Sequence, residues 1–338
     1  MKLARTMRFV AAVSIAVLSI SAVSQAQRGQ RIRIGTVVPQ GSLWDESLRY
    51  LAQDWSRISG GAVKVQIFAG GSLGDEGEML RKVRQGQLQG VAVSSIGLSR
   101  IDDGVACLQV PLMLDSYAEL DYVRDQLEAR LEKRIEAKGF KVLNWTDAGW
   151  VRVFSKEVAH TPADLKQMKL FTSAGDPETE SLYKEFGFQV VPLSLVDLTT
   201  SLQTGMIEAV PNPPLFAQLQ ELHKLAPHML DVKWTPLIGG TLMSARTWSR
   251  LPTEHQEAMQ QSAREAGLRL RGEIRQMGDD AIAEMSKRGL SVTEPTAATL
   301  RTWQTEVEGA YPALRGSYCP AELFDEVLRL RDEFRASQ

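Results

Sequence analysis

The 338-residue sequence is short of the groups that carry chemistry. It has four histidines, His160, His223, His228 and His255, and only the middle pair is close in sequence. Five helical positions turn through about 500°, so those two rings do not share a face, and no H-E-x-x-H pattern occurs. No metal or cofactor is expected. The chain also lacks G-x-S-x-G, a P-loop, and a G-x-G-x-x-G after a strand. Asp102-Asp103 and Asp279-Asp280 are adjacent pairs whose side chains diverge, which reads as solvated surface. With no recognisable nucleophile or base, an enzyme is not expected and a binding role explains the sequence better. Basic tracts are missing too: 39 Lys and Arg are scattered against 41 Asp and Glu. That excludes nucleic acid as a partner, because phosphate backbones demand clustered positive charge.

Cysteine is nearly absent. Cys107 and Cys319 are either two buried thiols or a disulfide that an oxidising compartment would preserve. Long apolar runs are absent except at residues 9–23, which follow Lys2, Arg5 and Arg8 and precede the small-x-small triplet Ser24-Gln25-Ala26. This is the pattern of an export signal over residues 1–26, cut after Ala26. A membrane anchor needs about 20 apolar residues, and serines interrupt this stretch. The expected location is therefore outside the cytoplasmic membrane, in soluble form.

What is present is the grammar of an α/β protein. At 43% hydrophobic and 24% charged, the composition is that of a globular chain long enough for two domains. Residues 161–214 are the most densely patterned. Thr161, Pro162 and Asp164 start a helix with a capping box. Residues 168–172 read as a strand, 178–186 as a helix, 189–193 as a strand, 195–204 as a helix stopped by Gly205, and 207–210 as a strand ended by Pro211. Ligands collect outside the carboxyl ends of strands in such sheets, which directs attention to Phe171, Thr172, Leu195 and Asn212.

Earlier in the chain, residues 31–38, 63–68, 90–95 and 140–145 read as strands. The turn at Pro39-Gln40-Gly41-Ser42 offers amides to an anion or is merely a βα turn. Residues 105–114 read as an irregular crossing and 117–138 as a long helix. Trp150, Arg152 and Phe154 alternate on one face of a strand that leaves the first domain. Apolar residues 229–243 return the chain to it. Thr253-Glu254-His255-Gln256 reads as a capping box opening the longest helix, to about residue 287, with Gly267, Gly272 and Gly278 arguing against a single rod. Two further helical patterns end the chain.

The pattern D-L-K-x-x-K-L at Asp164–Leu170, G-F-x-x-V-P-L at residues 187–193, S-L-Q-T-G-x-I-E at 201–208 and N-P at 212–213 closely resembles the DctP-like solute-binding proteins of TRAP (tripartite ATP-independent periplasmic) transporters. So does G-S-L-G-x-E-x-E-M-L at 71–80. The resemblance implies a periplasmic α/β protein of two domains with mixed sheets, hinge strands and a long bracing helix. Domain I would comprise residues 31–150 with about 243–252, domain II residues 151–242, and residues 253–338 would pack across both. It implies capture of a small organic acid in the cleft and delivery to TRAP permease subunits.

In family members that take organic acids, an arginine after D-L-K-G-x-K-I/L grips the ligand carboxylate with its two-pronged fork. Here that position is Phe171. Arg152 is the leading substitute, unless it makes a structural ion pair. Asn212 matches a family asparagine that suits a carboxylate or hydroxyl, or else serves the turn beside Pro211. Phe171, Leu195, Trp150 and Trp234 would form an apolar wall, or ordinary core; Ser95 is a weaker polar candidate. Together they suggest an acid with an aromatic or hydroxylated body. A ligand-binding module for a sensor, or a secreted enzyme with an unrecognised site, are the alternatives.

Overall fold

The structure is a computed structural model that describes residues 29–338; the expected export signal lies outside the described residues. In chain order the strands are β1 (Gln30–Thr36), β2 (Val63–Phe68), β3 (Gly90–Ser94), β4 (Phe140–Trp150), β5 (Arg152–Ser155), β6 (Lys169–Ser173), β7 (Gln189–Leu193), β8 (Ala209–Asn212), β9 (His228–Leu230), β10 (Pro236–Ser244) and β11 (Ser291–Thr293). In β1, buried Ile32 and Ile34 alternate with exposed Arg31 and Arg33, the period-two signature of a strand with one face on a core.

These strands make two mixed sheets. The first has the order β2-β1-β3-β10-β4 and the second β11-β9-β5-β8-β6-β7. Within the first, β1 runs parallel to β2 and β3 while β10 is antiparallel to β3 and β4. The chain passes between sheets three times: through residues 245–290, by way of the long helix that links β10 to β11, and as extended backbone at Val151, where β4 gives way to β5, and at residues 231–235, between β9 and β10. The two extended crossings are hydrogen-bonded to each other: Val151 N–H donates to Thr235 O at 2.8 Å and Trp234 N–H donates to Val151 O at 3.1 Å. The crossing at residues 231–235 lies within the expected return, residues 229–243, and because β10 already belongs to the first sheet the bound expected for domain II at residue 242 falls earlier. A continuous apolar run has no period to mark where one sheet is left and the next entered.

The helix Thr253–Lys287 runs 35 residues without interruption, despite its glycines. Its Met259 and Ala263 pack with Ile32, Trp55 and Met243 of the first lobe. Its Met285 packs with Phe154, Phe171 and Leu202 of the second. Gly267 has a packing reason: a Cβ there would lie 2.8 Å from both the Trp145 carbonyl oxygen and Asn144 Cβ, so only glycine lets the helix settle onto β4. At Gly272 a Cβ would meet open space.

Several local expectations are revised. The capping box at Thr161 is present. The one expected at residues 253–256 is not: Pro252 takes the cap position, and Gln256 Nε2 turns back to the Leu251 carbonyl at 2.7 Å. Asp102 is buried instead of solvated, accepting from Arg134 Nε at 2.6 Å and from Gly104 N–H at 3.0 Å. The two cysteines are bridged, with Cα atoms 5.4 Å apart. The bridge closes 212 positions of chain and pins the approach to the last helix, Ala321–Ala336, to the turn at Asp103–Gln109. By the loop-entropy argument such a closure contributes about 2–5 kcal/mol.

Two substitutions distinguish the glycine roles. Gly267→Ala should destabilise the protein by about 1–3 kcal/mol in urea unfolding through overpacking against β4. Gly272→Ala, with room for its methyl, should instead stabilise by about 0.5–1 kcal/mol.

Candidate functional site

A cavity of about 580 Å³ lies between the two sheets. It is walled by the ends of β1, β3, β6 and β8, by the crossings, and by the first half of β10. Gly239 lets β10 lie close here, since a Cβ would sit 2.8 Å from the Val93 carbonyl oxygen. The turn at Pro39–Ser42 closes on itself: Gly41 N–H donates to Asp45 Oδ2 at 2.9 Å, and Asp45 N–H reaches Ser42 Oγ at 3.4 Å. It is a βα turn, with Val38 and Pro39 on the cavity wall.

Apolar groups dominate the lining. Trp44 and Phe216 are stacked, with centroids 4.7 Å apart and planes at 13°. Trp234 lines the cavity from the edge of an aromatic cluster with Tyr183, Phe186, Phe188 and Trp303. Phe171, the middle residue of β6, lines the cavity while its ring also belongs to the second lobe's core. Leu195 is 51% exposed and lies on the wall.

Most polar lining groups are committed. Glu76 is buried and accepts from Ser94 N–H at 2.8 Å, Ser94 Oγ at 3.0 Å and Gly97 N–H at 2.7 Å. Burial holds its carboxyl above the usual range despite these donors. Asp75 and Asp176 each accept the amide of a helix they cap, from Glu78 at 2.8 Å and Thr179 at 3.1 Å. Burial also raises Asp176. Asp147 lies between two guanidinia, accepting from Arg275 Nε at 2.8 Å and lying 3.4 Å from Arg124 Nη1. The Thr172 hydroxyl is buried without a partner: the residue is 3% exposed, lines the cavity, and makes no side-chain hydrogen bond among the described residues.

Of the residues singled out from sequence, Phe171, Leu195, Asn212, Trp234 and Ser95 line this one cavity. Arg152 and Trp150 do not. Val151 faces the cavity, and alternation sends Arg152 to the other side, where its buried guanidinium is ion-paired with Asp231. Trp150 packs on Tyr117, centroids 5.8 Å apart. Asn212 spends its amide on Gln220 Oε1 at 3.0 Å. Sequence reasoning missed Arg100 and Glu76; Gly77, a glycine inside a helix against which Arg100 lies, was the available signal. Among the described residues no group of three or more His, Cys, Asp or Glu could hold a metal ion.

Residues 34–315 match the DctP family, described as bacterial extracellular solute-binding protein, family 7. The chain belongs to this family. DctP proteins are periplasmic solute-binding components of TRAP transport. A solute-binding protein of Verminephrobacter eiseniae is 27% identical over 281 residues, covering 81% of each chain. The 2,3-diketo-L-gulonate-binding periplasmic protein YiaO of Escherichia coli is 27% identical over 240 residues, covering 69% of this chain and 71% of that one. The crystal structure of the sugar acid binding protein DctPAm from Advenella mimigardefordensis, in complex with galactonate, superposes with a TM-score of 0.83 at 20% identity, covering 90% of this chain and 99% of that one. At that identity it shows the two-domain DctP fold.

Arg152, behind the cavity, and Glu76, on its wall, yield checks on this geometry. Arg152→Ala should cost about 1–3 kcal/mol in urea unfolding, because Asp231 loses its cation, while leaving solute affinity unchanged. Glu76 gives a pH signature. Its folded-state carboxyl is raised, so its stabilising share is fully present below the unfolded value near 4.5 and is lost as pH rises through the folded value. The stability gap between wild type and Glu76→Ala should therefore be wider at acid pH than at alkaline pH. A gap independent of pH would contradict the assignment.

Proposed function

We propose that this chain is exported, cut near Ala26, and acts as an extracytoplasmic solute-binding protein that captures a small organic acid between its lobes and delivers it to TRAP permease subunits. The observation carrying this reading is the 580 Å³ cavity between two sheets joined by a hydrogen-bonded pair of extended crossings and braced by the helix Thr253–Lys287. That volume falls within the range of small-molecule sites, roughly 300–1,000 Å³. Two lobes hinged at Val151 and residues 231–235 can open to admit a solute and close over it, so binding shifts an open–closed equilibrium.

Support for an acid comes from the relatives, two of which carry sugar-acid ligands in their names. The wall itself modifies that expectation. Phe171 and Val151 are apolar, Trp44 and Phe216 offer a ring surface, and Thr172 holds a hydroxyl in reserve. The proposed solute is therefore a monocarboxylic acid with an apolar, ring-bearing or hydroxylated body, resting on Phe171, Leu195, Trp234, Asn212 and Ser95.

The direct test is mass spectrometry of the small molecule released when protein purified from a periplasm is denatured, followed by thermal shift with galactonate, 2,3-diketo-L-gulonate, benzoate and lactate. The expected outcome is a monocarboxylic acid that raises the melting temperature at one molecule per chain. A bound solute that is cationic, or that is converted on the protein, would contradict the reading. Thr172→Val should weaken a hydroxylated acid by about 5- to 10-fold, the effect of one neutral hydrogen bond, and leave benzoate unaffected.

A further inference from the structure

We propose that Arg100, at the end of the short helix Ser95–Ser99 in the first lobe, is the group that grips the solute's carboxylate. The inference rests on the acid reading above and names the residue that would select for it.

Arg100 is the one cationic side chain on the cavity wall among the described residues. Other guanidinia nearby are spoken for: Arg152 by Asp231, and Arg124 and Arg275 by Asp147 and Asp121. Arg100 forms no ion pair within the described residues, and its one hydrogen bond runs from Nη2 to the Gly175 carbonyl. A guanidinium has five N–H donors in a planar fork, so it keeps the paired donors that suit a carboxylate.

The guanidinium is also seated. A Cβ at position 77 would lie 1.7 Å from Arg100 Nη1, so the glycine there leaves room for the fork over the start of the helix Glu76–Arg84. The wall carboxylates do not take the fork away. Glu76 is saturated by two amides and a hydroxyl, and Asp75 and Asp176 cap helices.

Position adds a consequence. Arg100 belongs to the first lobe, and Gly175 to the turn after β6 in the second. A carboxylate on this fork lies where the lobes meet, so charge recognition and closure are coupled through one side chain.

The test compares wild type, Arg100→Ala and Arg100→Lys by calorimetric titration with galactonate, 2,3-diketo-L-gulonate, benzoate and lactate, and with the primary amide of whichever binds. Melting curves confirm that each variant is folded. Arg100→Ala is expected to lose about 10- to 100-fold in affinity for the acid and less than about threefold for the amide, with Arg100→Lys in between. Acid affinity in Arg100→Ala equal to wild type would overturn the assignment and leave the proposed function standing. Wild type that binds neutral amides and none of the acids would overturn the acid reading, and the assignment with it.

Discussion

The structure depends on the pair of hydrogen bonds that tie Val151 to residues 234 and 235. At this neck the outgoing and returning chains hold each other in register as they pass between sheets. Because side chains alternate along the extended backbone, fixing Val151 towards the cavity fixes Arg152 away from it. One register choice therefore makes the back of the cleft apolar and commits the adjacent arginine to Asp231. A slip of one residue would exchange them, putting a guanidinium in the cavity and an isopropyl group against a carboxylate.

Around the neck, charge is distributed so that rigidity and recognition use different groups. Asp147, with a side chain only 2% exposed, is neutralised by Arg124 from the helix Tyr117–Ala137 and by Arg275 from the helix Thr253–Lys287. Asp121 joins the same network. A charge buried this deeply is tolerated only when paired, and the pairing locks three elements of the first lobe together behind the cavity. On the cavity side, carboxylates are absorbed by amides at helix starts, leaving a largely apolar surface with a buried, unpartnered hydroxyl at Thr172 and a cation without an ion pair at Arg100.

Much of this was legible in the sequence. The strand–helix alternation of residues 161–214, the cap at Thr161 and the cleft positions of Phe171, Leu195, Asn212, Trp234 and Ser95 follow from local patterns, because strand ends and capping residues announce themselves nearby. What was illegible depended on partners far along the chain. Arg152 could be placed on a strand face, but nothing local said that Asp231, 79 positions on, would claim it. Pairing of Cys107 with Cys319 required knowing that the last helices return to the first lobe. Gly267 looked like a break because its reason, the backbone at Trp145, lies on another element. Arg100 is exposed, and only the turn at Gly175, 75 positions on, sets it apart from the other scattered arginines.

The central claim is that two lobes close over a solute by bending at this neck. It is tested most directly by the distance between spin labels at Lys64 and Thr199, both exposed, one on β2 and the other on the helix Leu198–Thr204. With the solute extracted from the purified protein added back, the distance distribution should move to a single shorter population. A distribution that stays unchanged while the solute binds would contradict the account.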